Sequence, residues 1–165
     1  MNKITGTVWV FGNNIDTDQI LPGYAMAEDF DGLGKYAMAG SSLPDFSGKV
    51  KPGDIIVAGK NFGCGSSREQ APVALKAAGV SLIIAESFAR IFRRNAINIG
   101  LPVLTSELWQ TIRQGQVIAA DLEQGNIITP EGEVAACALS PNALATIAAG
   151  GLINRVRREL GIDNS

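Results

Sequence analysis

The sequence predicts an α/β domain, with helices packed on a sheet that has parallel pairings. Two observations predict it. Between residues 55 and 104, three short apolar runs (Ile55 to Ala58, Ser81 to Ala85 and Leu101 to Leu104) alternate with two helix-length segments. Runs of this kind without polar alternation mark strands buried on both faces, and a β-α-β-α-β order calls for parallel neighbours. The second observation is composition. With 165 residues, 46% of them apolar, the chain has surface enough for a core that offsets the entropy of ordering, which excludes a disordered chain.

The elements follow in order. Residues 4–10 are rich in β-formers and stop at the turn signal Phe11-Gly12-Asn13-Asn14. Ile15 to Leu21 reads as a short strand ended by Pro22-Gly23, and on a strand Asp16 and Asp18 share one face, opposite Ile15 and Thr17. Residues 22–49 hold five glycines and two prolines with little periodicity, a stretch of the kind that is functional or mobile. Lys51-Pro52-Gly53-Asp54 is a turn into the first buried run.

Gly59 to Gln70 forms a glycine-rich loop feeding a helix. Pro72 lacks an N–H and fits only a first turn, so that helix should begin near Glu69, and Gly79 closes it. A second helix runs from Phe88 to Ile99 and ends at Gly100. Val117 to Thr129 is a β segment broken by the turn Glu123-Gln124-Gly125-Asn126. Pro141 opens a helix ending at Gly150-Gly151, and Arg155, Arg157 and Arg158 sit in a last short helix. With no repeat and no linker, residues 1–165 are expected to form a single domain.

Residue counts narrow the chemistry. Fourteen basic and sixteen acidic residues leave a net charge of −2, with no positive field for phosphates. The basic stretch Arg90, Arg93, Arg94 is expected to be solvated or to face a partner surface, so no nucleic acid is expected. The absence of histidine removes Ser-His-Asp and Cys-His catalysis and histidine-ligated zinc. Two cysteines, Cys64 and Cys137, are too few for a disulfide framework or for an iron–sulfur cluster held by this chain. No apolar run reaches a membrane span, and Met1-Asn2-Lys3 leads into a strand rather than a signal peptide, so a reduced, soluble, cytoplasmic protein is expected.

The loop Gly59-Lys60-Asn61-Phe62-Gly63-Cys64-Gly65-Ser66-Ser67-Arg68-Glu69-Gln70 is the sharpest feature. Its glycines allow close backbone approach, the following helix start offers free N–H groups, and Arg68 supplies a fork for a carboxylate. A capping box, Ser66 with Glu69 or Ser67 with Gln70, explains the same residues without any ligand, and both explanations stand on spacing alone. It is no nucleotide P-loop, because Gly-Lys-Ser/Thr is missing. Asp16 and Asp18 likewise suit either a cation or turn chemistry. Cys64 is expected to pack rather than react.

Read together, Asn61 to Pro72, Ala74-Leu75-Lys76, Ser87 to Phe92, Arg94-Asn95, Asn98 and Gly100-Leu101-Pro102 resemble the small subunit of 3-isopropylmalate dehydratase, the counterpart of the swivelling domain of aconitase. Asn14 to Ile20 matches the same family, so the resemblance spans about residues 8–105. It implies a single mixed β/β/α swivelling domain. It implies a hydro-lyase that interconverts 2- and 3-isopropylmalate through 2-isopropylmaleate in leucine biosynthesis, acting on a small hydroxy diacid. It also implies a large-subunit partner that carries a [4Fe–4S] cluster as Lewis acid, with none bound by this chain.

By the same resemblance Ser66 matches the catalytic base, Ser67 and Arg68 match substrate-carboxylate positions, and Asp18 matches an orienting aspartate. Gln70 departs from the family, which often has histidine there, but it removes no group assigned to proton transfer. Relatives whose substrate has a third carboxylate carry an arginine shortly after the Asp-Thr-Asp segment. Here Tyr24 and Met26 occupy that specificity loop without one, which favours an alkyl-bearing malate. The alternatives are a homoaconitase or a methyl-substituted malate dehydratase subunit, or a non-catalytic anion-binding module.

Overall fold

The computed structural model describes residues 2–161. Within them the strands are β1 (Lys3–Val10), β2 (Ile55–Ala58), β3 (Leu82–Ala85), β4 (Val103–Thr105), β5 (Val117–Asp121), β6 (Asn126–Thr129) and β7 (Gly132–Ala135). They form one sheet of order β4-β3-β2-β1-β5-β6-β7. The helices are α1 (Thr17–Ile20), α2 (Phe46–Lys49), α3 (Gln70–Ala78), α4 (Arg90–Asn98), α5 (Pro141–Ala148) and α6 (Leu152–Glu159).

β1 joins two kinds of sheet. Its first half, Lys3 to Thr7, pairs antiparallel with β5, and its last three residues, Val8 to Val10, pair parallel with β2. From there β2, β3 and β4 continue parallel. Every residue of β2 and β3 is buried, the physical reason their sequence lacks polar alternation. The predicted α/β architecture is therefore present, and α3 ends as expected, with Gly79 at φ 109° and its N–H donating to the carbonyls of Leu75 and Lys76.

Three elements differ from expectation. Ile15 to Leu21 is no strand: α1 occupies Thr17–Ile20, because the Asp16 carboxylate accepts from the Gln19 N–H at 2.8 Å and caps a helical turn. Asp16 and Asp18 consequently do not share a strand face. Residues 22–49 are built from 3₁₀ turns at 23–25 and 30–36 and from α2, anchored by buried Ala25, Leu33, Ala37, Met38 and Phe46. The third difference is β7, an edge strand that extends the predicted β segment into a hairpin closed by Thr129, whose hydroxyl donates to the Gly132 carbonyl at 2.8 Å.

Candidate active site at the serine loop

The loop after β2 is fixed on both flanks. On one side it runs beside the segment before α1: the Asn14 N–H donates to the Lys60 carbonyl at 2.7 Å, Gly63 to Ile15 at 2.7 Å, and Thr17 to Cys64 at 2.9 Å. On the other side the buried Phe62 ring meets Phe92 and Phe88 edge-on, with centroids 5.3 and 6.0 Å away. Gly63 sits at φ 83°, and a Cβ there would stand 2.3 Å from Phe92 Cγ, so only glycine lets loop and α4 approach this closely. Anchored in this way, the following residues lie beyond the carboxyl ends of the parallel strands, where open α/β sheets take their ligands.

Ser66 and Ser67 are both exposed there. Neither caps a helix. α3 begins at Gln70, with Glu69 in the cap position making no side-chain bond, and Pro72 falls in the first turn as its missing N–H requires. The capping-box explanation of the two serines is thereby removed. Among the described residues, none accepts a hydrogen bond from the backbone N–H of Gly65, Ser66, Ser67, Arg68 or Glu69. Successive backbone donors left free in this way are the raw material of an anion-binding loop. Gly65, Ser66, Ser67 and Arg68 border a cleft of about 300 Å³ whose other walls include Thr17 and, from α4, Arg90, Ile91 and Asn95.

Arg68 is aimed by two partners from α1 and its end. One guanidinium nitrogen donates to Asp18 Oδ1 at 2.5 Å and to the Leu21 carbonyl at 3.0 Å. Asp18 thus takes up part of the guanidinium's charge. Asp16 is committed to its helix cap, and the two aspartates do not form a paired cation site.

The sequence did not single out Thr17. It is buried, and its hydroxyl lies 2.9 Å from the Ser66 carbonyl and 3.4 Å from Ser66 Oγ. Its signal was available in Asp16 followed three residues later by Gln19, the spacing of a capped helix start. Tyr24 and Met26, by contrast, do not line the serine cleft. Tyr24 is 72% exposed and packs edge-on against Tyr36, while Met26 is half-buried against the core.

A larger cleft of about 750 Å³ lies along the other flank of α4, towards α5 and α6. Size does not make it the candidate: Arg155 there is committed to Asn142, Thr146 and Glu159, and the free amides and α1 contacts lie elsewhere. Cys64 is half-buried and Cys137 exposed, and among the described residues no three His, Cys, Asp or Glu gather to hold a metal. No helix among them is long and apolar enough to cross a membrane.

Residues 13–108 match the family model described as the aconitase C-terminal domain. The chain is 50% identical over 161 residues to a 3-isopropylmalate dehydratase small subunit of Methanopyrus kandleri, covering 94% of each chain. It is 51% identical over 154 residues to a methanogen homoaconitase small subunit of Methanothermobacter thermautotrophicus, covering 92% of this chain and 89% of that one. Its structure superposes on the crystal structure of a 3-isopropylmalate dehydratase from Methanocaldococcus jannaschii with a TM-score of 0.90, at 41% identity over 97% of this chain and 96% of the other.

Proposed function

The chain belongs to the aconitase C-terminal domain family, beside the small subunits of 3-isopropylmalate dehydratase, and from that premise we infer that it is the small subunit of such a hydro-lyase. Its reaction interconverts 2- and 3-isopropylmalate through 2-isopropylmaleate. One observation carries the assignment of its own part: Ser66 bears a hydroxyl that no helix cap uses, in a run, residues 65–69, whose backbone N–H groups meet no acceptor among the described residues, at a cleft sized for a small diacid.

Isomerising a hydroxy diacid requires removal of a weakly acidic C–H proton next to a carboxylate. Ser66, as alkoxide, takes that proton, and the loop amides left without an acceptor are the donors available to its charge. Ser67 and Arg68 hold a substrate carboxylate. Asp18 and the Leu21 carbonyl fix one nitrogen of Arg68, which leaves the remaining donors of the fork for the ligand.

Cys64 and Cys137 are too few to ligate a [4Fe–4S] cluster, and this chain's residues do not fit one. The cluster is assigned to a large-subunit partner, with this chain active only in that complex, as one cytoplasmic domain. No arginine lies between Pro22 and Ala27, so a third substrate carboxylate would find no guanidinium there, and Tyr24 and Met26 suit an alkyl group instead. That separates isopropylmalate from homoaconitate, which identities of 50% and 51% to differently named relatives do not.

The test is Ser66→Ala in the pair reconstituted anaerobically with its large subunit. The complex should form and kcat should fall about 10²–10⁴-fold, the contribution of a positioned base. Retention of a near-native rate would remove Ser66 from the chemistry and favour a non-catalytic module.

A further inference from the structure

We infer that Thr17 is the positioning residue for Ser66: it accepts the serine's hydroxyl proton at rest and donates its own to the serine oxygen once that oxygen is charged. This rests on Ser66 being the base. A hydroxyl has one proton and two lone pairs. Thr17 Oγ1 lies 2.9 Å from the Ser66 carbonyl, which can only accept, so the threonine proton belongs to that bond. While it does, Thr17 presents lone pairs to Ser66 Oγ, 3.4 Å away, and a hydrogen bond across that long contact is one that Ser66 donates. In that arrangement the serine O–H faces Thr17 and its lone pairs are left for other partners.

The relation reverses on ionisation. When Ser66 loses its proton to solvent through the open cleft, it can no longer donate to Thr17. Rotation about one C–O bond moves the threonine proton from the carbonyl to the alkoxide. A hydrogen bond to an ionised acceptor is roughly twice as strong as a neutral one, so the exchange favours the charged serine. Ser66 is an exposed residue, so water takes the place of the threonine at its carbonyl meanwhile. When substrate returns a proton to Ser66, Thr17 swings back, and the count of protons is unchanged.

Thr17 is built to stay in place. Only 3% of it is exposed, its N–H is held by the Cys64 carbonyl at 2.9 Å, and its carbonyl accepts from Leu21 at 2.9 Å. Gly65 beside it sits at φ 96°, a conformation that favours glycine, and its backbone holds the loop within van der Waals reach of the Thr17 hydroxyl.

Thr17→Val keeps the shape and removes the hydroxyl, and Thr17→Ser keeps the hydroxyl; both are measured as reconstituted complexes. Thr17→Val should lower kcat about 10²-fold, the loss expected from removing one preorganised donor, with KM little changed. The rising limb of its kcat–pH profile should move to higher pH, because the alkoxide has lost a donor and forms less readily. Thr17→Ser should restore both. If Thr17→Val does not fold, Thr17→Ala repeats the comparison without the branched side chain.

An unchanged rate and pH profile in the hydroxyl-free variant overturns the inference. So does a loss that Thr17→Ser fails to rescue, since a packing role alone would lower melting temperature or association without moving the limb. Failure here is distinct from failure of the base assignment. If Ser66→Ala is inactive while Thr17→Val is normal, only Thr17 is misassigned; if Ser66→Ala is active, the base itself is.

Discussion

Arg68 can serve a carboxylate only if its long side chain is already in place, and Asp18 does that placing. The pair is open to solvent on its acidic side, where the Asp18 side chain is 70% exposed, so its contribution to stability is small, about 0.2–1 kcal/mol. Its contribution to function is geometric. Asp18→Asn should therefore leave the melting temperature nearly unchanged while kcat/KM falls about 10²-fold, the scale of a misplacement near 1 Å. A large loss of stability with intact kinetics would reverse that ranking. At this scale the loop residues Ser66, Ser67 and Arg68 were legible, because glycine spacing and Pro72 together leave the serines outside the helix. Thr17 was not. Placed on a strand it faces away from Asp18, whereas on α1 successive residues turn by about 100°, which brings Thr17 to the serine and leaves Asp18 within reach of Arg68.

Between the serine loop and α4 the contact is a cluster of rings. Phe62 packs edge-on against Phe88 and Phe92, which lie parallel to each other with 6.4 Å between centroids. Gly63 is pressed against Phe92 at its Cβ and Cγ, atoms near the backbone that cannot swing aside as a side-chain tip would. Gly63→Ala adds a methyl at positive φ, costing about 1–2 kcal/mol, and overpacks a buried contact by about 1–3 kcal/mol. A loss of roughly 2–5 kcal/mol should appear as a melting temperature lower by about 5–15 °C. The same variant should lose turnover even below its melting point, because the displaced loop carries Ser66. Unaltered melting and kinetics together would show that the loop is not braced on α4. The elements legible in the sequence are those with a local stop signal, such as α3 between Pro72 and Gly79. β7 was not legible, because Gly132-Glu133-Val134-Ala135 is an exposed edge with only Val134 half-buried, and its pairing with β6 supplies what its pattern lacks.

At the scale of the molecule, the apolar runs indicated a parallel α/β layer, but not that β1 would divide itself between β2 and β5, since register between distant strands leaves no mark in either strand alone. Tyr24 and Met26 follow Leu21, whose carbonyl holds Arg68, yet they lie outside the serine cleft. Contact with substrate at Tyr24 and Met26 therefore requires a site larger than this chain's own cleft, with its remaining walls supplied by the large subunit. In such a site a third carboxylate would be stripped of water and left without a guanidinium, a situation that costs about 3–5 kcal/mol in buried ion pairs with one partner removed. With every 1.4 kcal/mol worth a factor of ten, the reconstituted pair should prefer isopropylmalate to homoaconitate by about 10²–10³-fold in kcat/KM. The preference should appear in kcat/KM measured with each substrate alone and persist at raised ionic strength, since an enclosed site is poorly screened. Equal kcat/KM for the two substrates would mean that the large subunit brings a cation of its own to that end of the diacid, and that Tyr24 and Met26 do not decide what is bound.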